Sequence, residues 1–145
     1  MTLPTFWQRA DFSVAETADI VDVPEDTLRG WLARNLMPEF AGIKSGSRLW
    51  FSAHDAFYFA ILRELTAYGV SVRPAMREAG AIANSAADGE LKREYAIVRA
   101  NGAATDFEIT DDVIIDDKPG AVIPLRAVLK RVLDHAAVVH ATEAS

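Results

Sequence analysis

The sequence contains no cysteine, which excludes disulfides, zinc ribbons, thiolate metal centres and cysteine nucleophiles. It also lacks any apolar run near the roughly 20 residues that span a bilayer, and its start carries no basic segment leading into a continuous apolar core. No membrane partner is expected, and the default location is cytoplasmic. A general excess of basic charge is missing too. Fifteen Lys and Arg stand against 21 Asp and Glu, a formal net charge of -6, which disfavours a nucleic-acid binder that is basic all over.

What is present belongs to a folded chain. Half of the 145 residues are hydrophobic and a quarter are charged, the balance of one or two compact cores rather than of a disordered tail. The charge is unevenly spread. Residues 1–80 carry eight Lys and Arg against ten Asp and Glu, and residues 81–145 seven against eleven. Between Arg29 and Arg48, however, Arg29, Arg34, Lys44 and Arg48 face Glu39 alone, a local +3. A polyanion, if bound, is bound there.

Hydrophobic spacing predicts the elements around that segment. Apolar residues at Val14, Thr17, Ala18 and Val21 lie at helical spacing, and Ser13 with Glu16 three residues later is a capping box that starts the helix. After Asp22-Val23 a second helix is expected to begin at Pro24, which has no N–H to leave unpaired in a first turn. Leu28, Trp31 and Leu32 form its apolar face, and it is expected to end near Leu36-Met37-Pro38. Two short helices joined by a tight turn, the second bearing arginines, make a helix-turn-helix pattern.

Gly42, Lys44, Ser45 and Gly46 then lead into the alternating run Arg48-Leu49-Trp50-Phe51, read as a small basic hairpin or wing. Ser52 with Asp55 opens a strong helix with Phe57, Ile61, Leu62 and Leu65 on one face, closed by Gly69. Ser71 opens a further helix through Arg73 and Met76 to about Ile82.

This order of residues resembles the MerR family of winged-helix transcription regulators. The family's opening of an aromatic, Ser or Thr, an aliphatic, then Glu and Ala is matched by Phe12, Ser13, Val14, Glu16 and Ala18. Its recognition-helix phrase is matched by Val23, Thr27, Leu28, Arg29 and Trp31, and its exit by Leu36-Met37-Pro38. The wing triplet appears as Arg48-Leu49-Trp50 before Ser52 and Asp55, and the end of the following helix as Leu62, Leu65, Gly69, Val70, Ser71 and Val72. The sequence departs from the family at Gly30, where an aromatic is usual, and at Leu32, where an acid is usual. A glycine inside a helix costs about 1 kcal/mol against alanine, so Gly30 is read as a point of close approach to another backbone or to a phosphate.

The C-terminal part does not continue the resemblance. Residues 83–89 read as a linker or frayed helix end. Tyr95–Ala100 and Asp106–Thr110 read as strands around an Asn101-Gly102 turn, Val113-Ile114-Ile115 as a third apolar run, and Pro119-Gly120 as a turn before Ala121-Val122-Ile123. From Pro124 the period changes to 3.6, with Leu125, Val128, Leu129, Val132, Leu133 and Ala136 on one stripe of a helix over 125–140.

The expected fold is therefore α+β. Residues 1–11 are an N-terminal extension, 12–83 a winged helix-turn-helix domain, and 90–145 a small β-β-β-α dimerisation or interaction domain. The resemblance implies a sequence-specific regulator that binds double-stranded DNA at an inverted repeat as a homodimer, with RNA polymerase as a further candidate partner. On this reading Ser13, Glu25, Asp26, Thr27, Arg29, Gly30, Arg34, Lys44, Ser45 and Arg48 face DNA. The dimer forms through Leu125, Val128, Leu129, Val132, Leu133 and Ala136, because that stripe is wider than three small strands can cover.

Arginine and lysine in those places supply attraction to phosphate and, for arginine facing guanine, bidentate readout; the plain reading of the same residues is solvated surface charge. Glu25 and Asp26 either accept from cytosine amino groups or serve the helix dipole. Trp31 and Trp50 read as packing residues in preference to base-stacking platforms. Asp111, Asp112, Asp116 and Asp117 read as a solvated turn, since they fit no calcium loop. His54, His135 and His140 are not at metal-pair spacing. No nucleophile motif or Gly-rich phosphate loop is present, so neither an enzyme nor a cofactor is expected. Two other readings remain: an excisionase-like architectural protein of a phage or mobile element that bends DNA, and an adaptor whose winged helix contacts only protein.

Overall fold

The computed structural model describes residues 3–86, 91, 93–101, 104–112 and 120–144. Its elements are mixed helix and strand, an α+β architecture with five α-helices and two small sheets among the described residues. No helix among them is long and apolar enough to cross a membrane.

The first helix, α1 (Val14–Val21), is started as its sequence dictates. The Ser13 hydroxyl accepts from the Glu16 N–H at 3.1 Å while the Glu16 carboxylate accepts from the Ser13 N–H at 2.8 Å. It stops at Asp22, the one non-glycine with positive φ (63°) among the described residues. Aspartate tolerates that left-handed conformation better than most residues, and Arg63 reinforces the turn by donating to the Asp22 carbonyl at 3.1 Å. Helix α2 (Glu25–Ala33) follows at once. Pro24 is its N-cap rather than its first helical residue, and its carbonyl accepts from both Thr27 and Leu28 N–H. The helix ends at Ala33, three residues before the expected Leu36-Met37-Pro38, because Arg34 has left helical geometry (φ -110°, ψ 10°).

Strands β1 (Ile43–Ser45) and β2 (Arg48–Trp50) pair antiparallel, with Ser45 opposite Arg48. That register leaves Gly46-Ser47 as a two-residue turn. Only Gly46 has positive φ (64°), which is the requirement of a type II′ hairpin turn, whose twist matches the strands it joins. Helix α3 (Ala53–Ala67) starts with a second reciprocal capping box, Ser52 with Asp55, and α4 (Val72–Ser85) packs beside it. It runs three residues beyond the expected Ile82, into the segment read as a linker.

Strands β3 (Tyr95–Asn101), β4 (Ala104–Thr110) and β5 (Gly120–Pro124) form an antiparallel sheet in the order β4-β3-β5. The run Val113-Ile114-Ile115, Pro119 and most of the Asn101-Gly102 turn lie outside the described residues. One sheet face, with Ala96, Val98 and Ile123, joins the core. Helix α5 (Leu125–Ala144) leaves β5 directly, its first N–H donating to the Glu94 carbonyl at 2.8 Å.

The core is organised around α3. Phe57, Tyr58, Phe59, Ala60, Ile61 and Leu62 are consecutive, and all are buried. A run that buries every direction of the helix needs partners on every side, where the sequence pattern pointed to one face. Those partners are α1, α4, α5 and the N-terminal segment. Residues 3–11 are accordingly no loose extension: Phe6 and Trp7 are buried in a single turn of 3-10 helix, and the Trp7 ring lies 6.3 Å from that of Phe57.

The α5 stripe is also covered from within the chain, which corrects its assignment to a dimer interface. Leu125, Val128, Leu129, Val132 and Ala136 are at most 2% exposed, and Leu133 packs against the same core. The physical reason is that α3 and α1, in addition to the sheet, lie against α5. Polar contacts along its rim match: Arg131 reaches Glu64 of α3 at 2.9 Å and His135 reaches Asp19 of α1 at 3.3 Å.

Two predictions follow from burial. Leu129→Asp should prevent folding rather than yield a folded monomer, because an unpaired carboxylate would enter the core. Leu129→Ala should cost about 2–5 kcal/mol in urea denaturation; a fully folded Leu129→Asp chain would return the stripe to a subunit interface. The second concerns Asp55. Burial, outweighing its Ser52 hydrogen bonds and the charge of His54, raises its carboxyl above the ordinary 3.8. The folded chain then keeps this proton where the unfolded chain has lost it, so stability falls as pH rises through that window. Asp55→Asn keeps an acceptor for the Ser52 N–H and should flatten the fall that sets in as pH rises above the carboxyl's ordinary value. Equal slopes in the two proteins would exclude Asp55 as its source.

Candidate functional site

A groove of about 350 Å³ opens between the start of α1, the exposed side of α2 and the β1–β2 hairpin. Its position follows from one backbone interaction. Phe12 and Phe51 form an isolated antiparallel bridge, with N–H to carbonyl distances of 2.9 and 2.7 Å. The bridge lies one residue before the Ser13 cap and one residue after β2. Both rings are fully buried, so the N-terminus of α1 and the root of the hairpin are held together by core packing as well as by hydrogen bonds. From the other side α2 is fixed by Leu28 and Trp31, the latter stacked on Phe59 of α3 with the rings 6.4 Å apart and 4° from parallel.

Four of the ten sequence-selected residues meet in this groove: Ser13, Glu25, Arg29 and Arg48. Arg29 and Glu25 lie one helical turn apart and pair at 3.5 Å, an exposed contact of little energetic weight that still orients the guanidinium. Arg48 and Lys44 have no carboxylate partner among the described residues and are exposed. Ser13 accepts from Glu16, which leaves its hydroxyl hydrogen to donate outward.

The other six lie around the groove rather than in it. Asp26 and Thr27 are exposed on the first turn of α2, and Gly30 follows one turn later. Arg34 folds back along the helix, its Nε donating to the Gly30 carbonyl at 3.3 Å. Lys44 and Ser45 are exposed on β1. Within the groove the sequence reading missed Val14, Ala15, Ser47 and Leu49. Ser47 was legible in principle, since a two-residue turn at Gly46 places the next residue at the hairpin tip beside Arg48.

The platform beneath α2 contains a polar contact that hydrophobic patterning gave no reason to expect. Buried Tyr58 donates to the Asn35 side-chain oxygen at 2.9 Å, and the same oxygen accepts from the Met37 N–H at 3.1 Å. Burial, followed by the charge of Glu39, pushes the tyrosine hydroxyl well above its ordinary 10, so it remains a donor. Phe40 stacks on Tyr58 at 4.3 Å and anchors the segment between α2 and β1.

The remaining candidates have structural roles. Trp31 is buried and Trp50 half-buried opposite Ile43. His54 lies 2.8 Å from the Ala83 carbonyl and ties α3 to α4. The Arg93 guanidinium bonded to Asp111 at 2.9 Å holds that carboxyl below its ordinary value; Asp116 and Asp117 lie outside the described residues. Among the described residues no group of His, Asp or Glu could hold a metal ion.

Chemically, the groove combines two guanidinium groups, that of Arg29 paired with the Glu25 carboxylate, two hydroxyls at Ser13 and Ser47, and the first N–H groups of α1. It can receive an anion that presents several oxygens along a line. The chain matches no protein-family model and no curated protein sequence.

Because the Ser13 hydroxyl also caps α1, Ser13→Ala should lower stability by about 1 kcal/mol. Ser13→Asp, which restores an acceptor, should recover most of that loss in the same thermal denaturation. Equal stability of Ser13→Ala and the wild-type protein would mean that the cap contributes nothing.

Proposed function

We propose that the groove and the outer side of α2 form the DNA-contacting surface of a winged helix-turn-helix protein acting in transcription regulation. The observation that carries this reading is the convergence of Arg29, Arg48 and the start of α1 on one groove, fixed by the Phe12–Phe51 bridge. In this reading α2 is the recognition helix and the β1–β2 hairpin is the wing. Arg48, at the wing, neutralises a phosphate; Lys44 adds to the same field. Arg29 stands where the recognition helix turns toward the wing, and Glu25 holds it in line.

The resemblance of residues 12–83 to MerR-type regulators also supports the reading. The negative total charge does not oppose it. Eleven of the 21 acids lie after residue 80, whereas Arg29 and Arg48 line one groove of the N-terminal half. A homodimer on an inverted repeat would need a surface other than the α5 stripe, which the chain itself covers.

The test uses the fluorescence anisotropy of short random-sequence duplexes over a range of salt concentrations. Each phosphate contact contributes about 0.9 to the dependence of log K on log salt. Arg48→Ala should therefore weaken binding and lower the slope by about 1, while Arg29→Ala should weaken binding without loss of fold. Unchanged affinity and slope for Arg48→Ala would remove the hairpin from the interface, and binding to protein but never to duplex DNA would favour the adaptor reading.

A further inference from the structure

The turn between α1 and α2 is made against local preference and is held from outside. Asp22 takes a left-handed conformation (φ 63°) that lets the Val23 N–H reach the Ala18 carbonyl at 3.0 Å, at a position where helices most often carry glycine. Its carboxylate also stands at the C-terminal end of α1, where the helix dipole disfavours negative charge. One side chain from α3 answers both. The Arg63 Nε donates to the Asp22 carbonyl at 3.1 Å, one of its terminal nitrogens lies 3.6 Å from the Asp22 carboxylate, and the other lies 3.5 Å from Glu64.

Glu64 links this clamp to the C-terminal helix. The same Glu64 oxygen accepts from Arg131 of α5 at 2.9 Å, a shorter contact than the one with Arg63. Two carboxylates thus face the Arg63 guanidinium, and they are unequal. The Asp22 side chain is 89% exposed and the Glu64 side chain 17%, so water screens the first far more than the second. Arg131 occupies the stronger competitor and leaves Arg63 on the weaker one. A second contact from α5, His135 to Asp19 at 3.3 Å, lies one turn earlier on α1.

We infer that Arg63 is a positioning residue for α2, and that Arg131 keeps it in place by occupying Glu64. Leu28 and Trp31 anchor the packed side of α2, while the Arg63 clamp sets the angle at which α2 leaves α1 and meets DNA. Without Arg131, the Glu64 carboxylate draws the guanidinium away from Asp22 and the turn loosens. This inference rests on the DNA-binding reading and gives the C-terminal helix a part in it, with no phosphate contact by Arg63 or Arg131.

The experiment follows two quantities in the full chain: amide hydrogen exchange at Asp22 and Val23 by NMR, and affinity for random-sequence duplexes over a range of salt. Arg63→Ala should speed exchange at both amides by about five- to tenfold, the loss of a hydrogen bond from a charged donor. It should weaken duplex binding by about threefold or more, as fewer molecules hold the competent angle, and leave the salt slope unchanged. Arg131→Ala should speed exchange by about two- to threefold. Glu64→Gln added to Arg131→Ala should restore the wild-type rate, because the amide exerts no charge on Arg63. Lys130→Ala removes the same charge from α5 outside this network and should change neither quantity. Unchanged exchange in Arg63→Ala would overturn the clamp, and unchanged affinity would overturn its role in positioning α2, with the DNA-binding reading left standing. A slope lowered by about 1 would make Arg63 a phosphate contact and overturn the inference. Failure of Glu64→Gln to restore exchange would overturn the part of Arg131. If wild-type protein binds no duplex, the DNA-binding reading and this role within it both fail, while exchange still decides the clamp.

Discussion

Burial of α3 on all its sides is the constraint from which the rest of the structure follows. A helix with Phe57, Tyr58, Phe59, Ala60, Ile61 and Leu62 in succession, all at most 2% exposed, has no solvent side along that stretch. Its neighbours must supply a continuous apolar wall. Side chains of this size each contribute roughly 1.5–3 kcal/mol on full burial, an amount that marginally stable domains cannot forgo. The N-terminal segment, α1, α4 and α5 are therefore parts of one enclosure, and a single cluster of buried residues runs from Phe6 to Ala136.

That enclosure places the groove. Phe51 and Phe59 meet edge to face at 6.0 Å, and Trp31 stacks on the same Phe59 ring. One residue of the central helix thus positions both the root of the hairpin and the packed side of α2. The bridge from Phe51 to Phe12 then brings in the start of α1. Arg29 and Arg48 are exposed and weakly held, but the backbones that carry them are fixed by rings in the core. A packed frame under exposed cations suits recognition of a regular polyanion, since the frame sets spacing and the long side chains adjust to phosphates.

The sequence disclosed what local chemistry determines. Ser13 with Glu16 and Ser52 with Asp55 announced two helix starts because a capping box is complete within four residues. Gly69 marked an end for the same reason, and the change of period at Pro124 marked the start of α5. Long-range packing was not legible. Nothing local shows that Phe6 and Trp7 pack on α3, or that its residues 57–62 have no exposed face. The α5 stripe looked too wide because only the adjacent strands were counted as its cover; α1 and α3, distant in sequence, supply the remainder. At the groove, the cations could be chosen by charge, but which of them converge depends on the Phe12–Phe51 pairing, and neither phenylalanine signals its partner.

The proposed duplex-binding surface of this acidic chain is tested most directly by the affinity of the unmodified protein for random-sequence duplex DNA as salt is raised from low to physiological concentration. Arg29, Arg34, Lys44 and Arg48 predict a linear fall of log K against log salt with a slope of about -2 to -4, at about 0.9 per neutralised phosphate. No binding at low salt, or binding whose strength is indifferent to salt, would contradict the account.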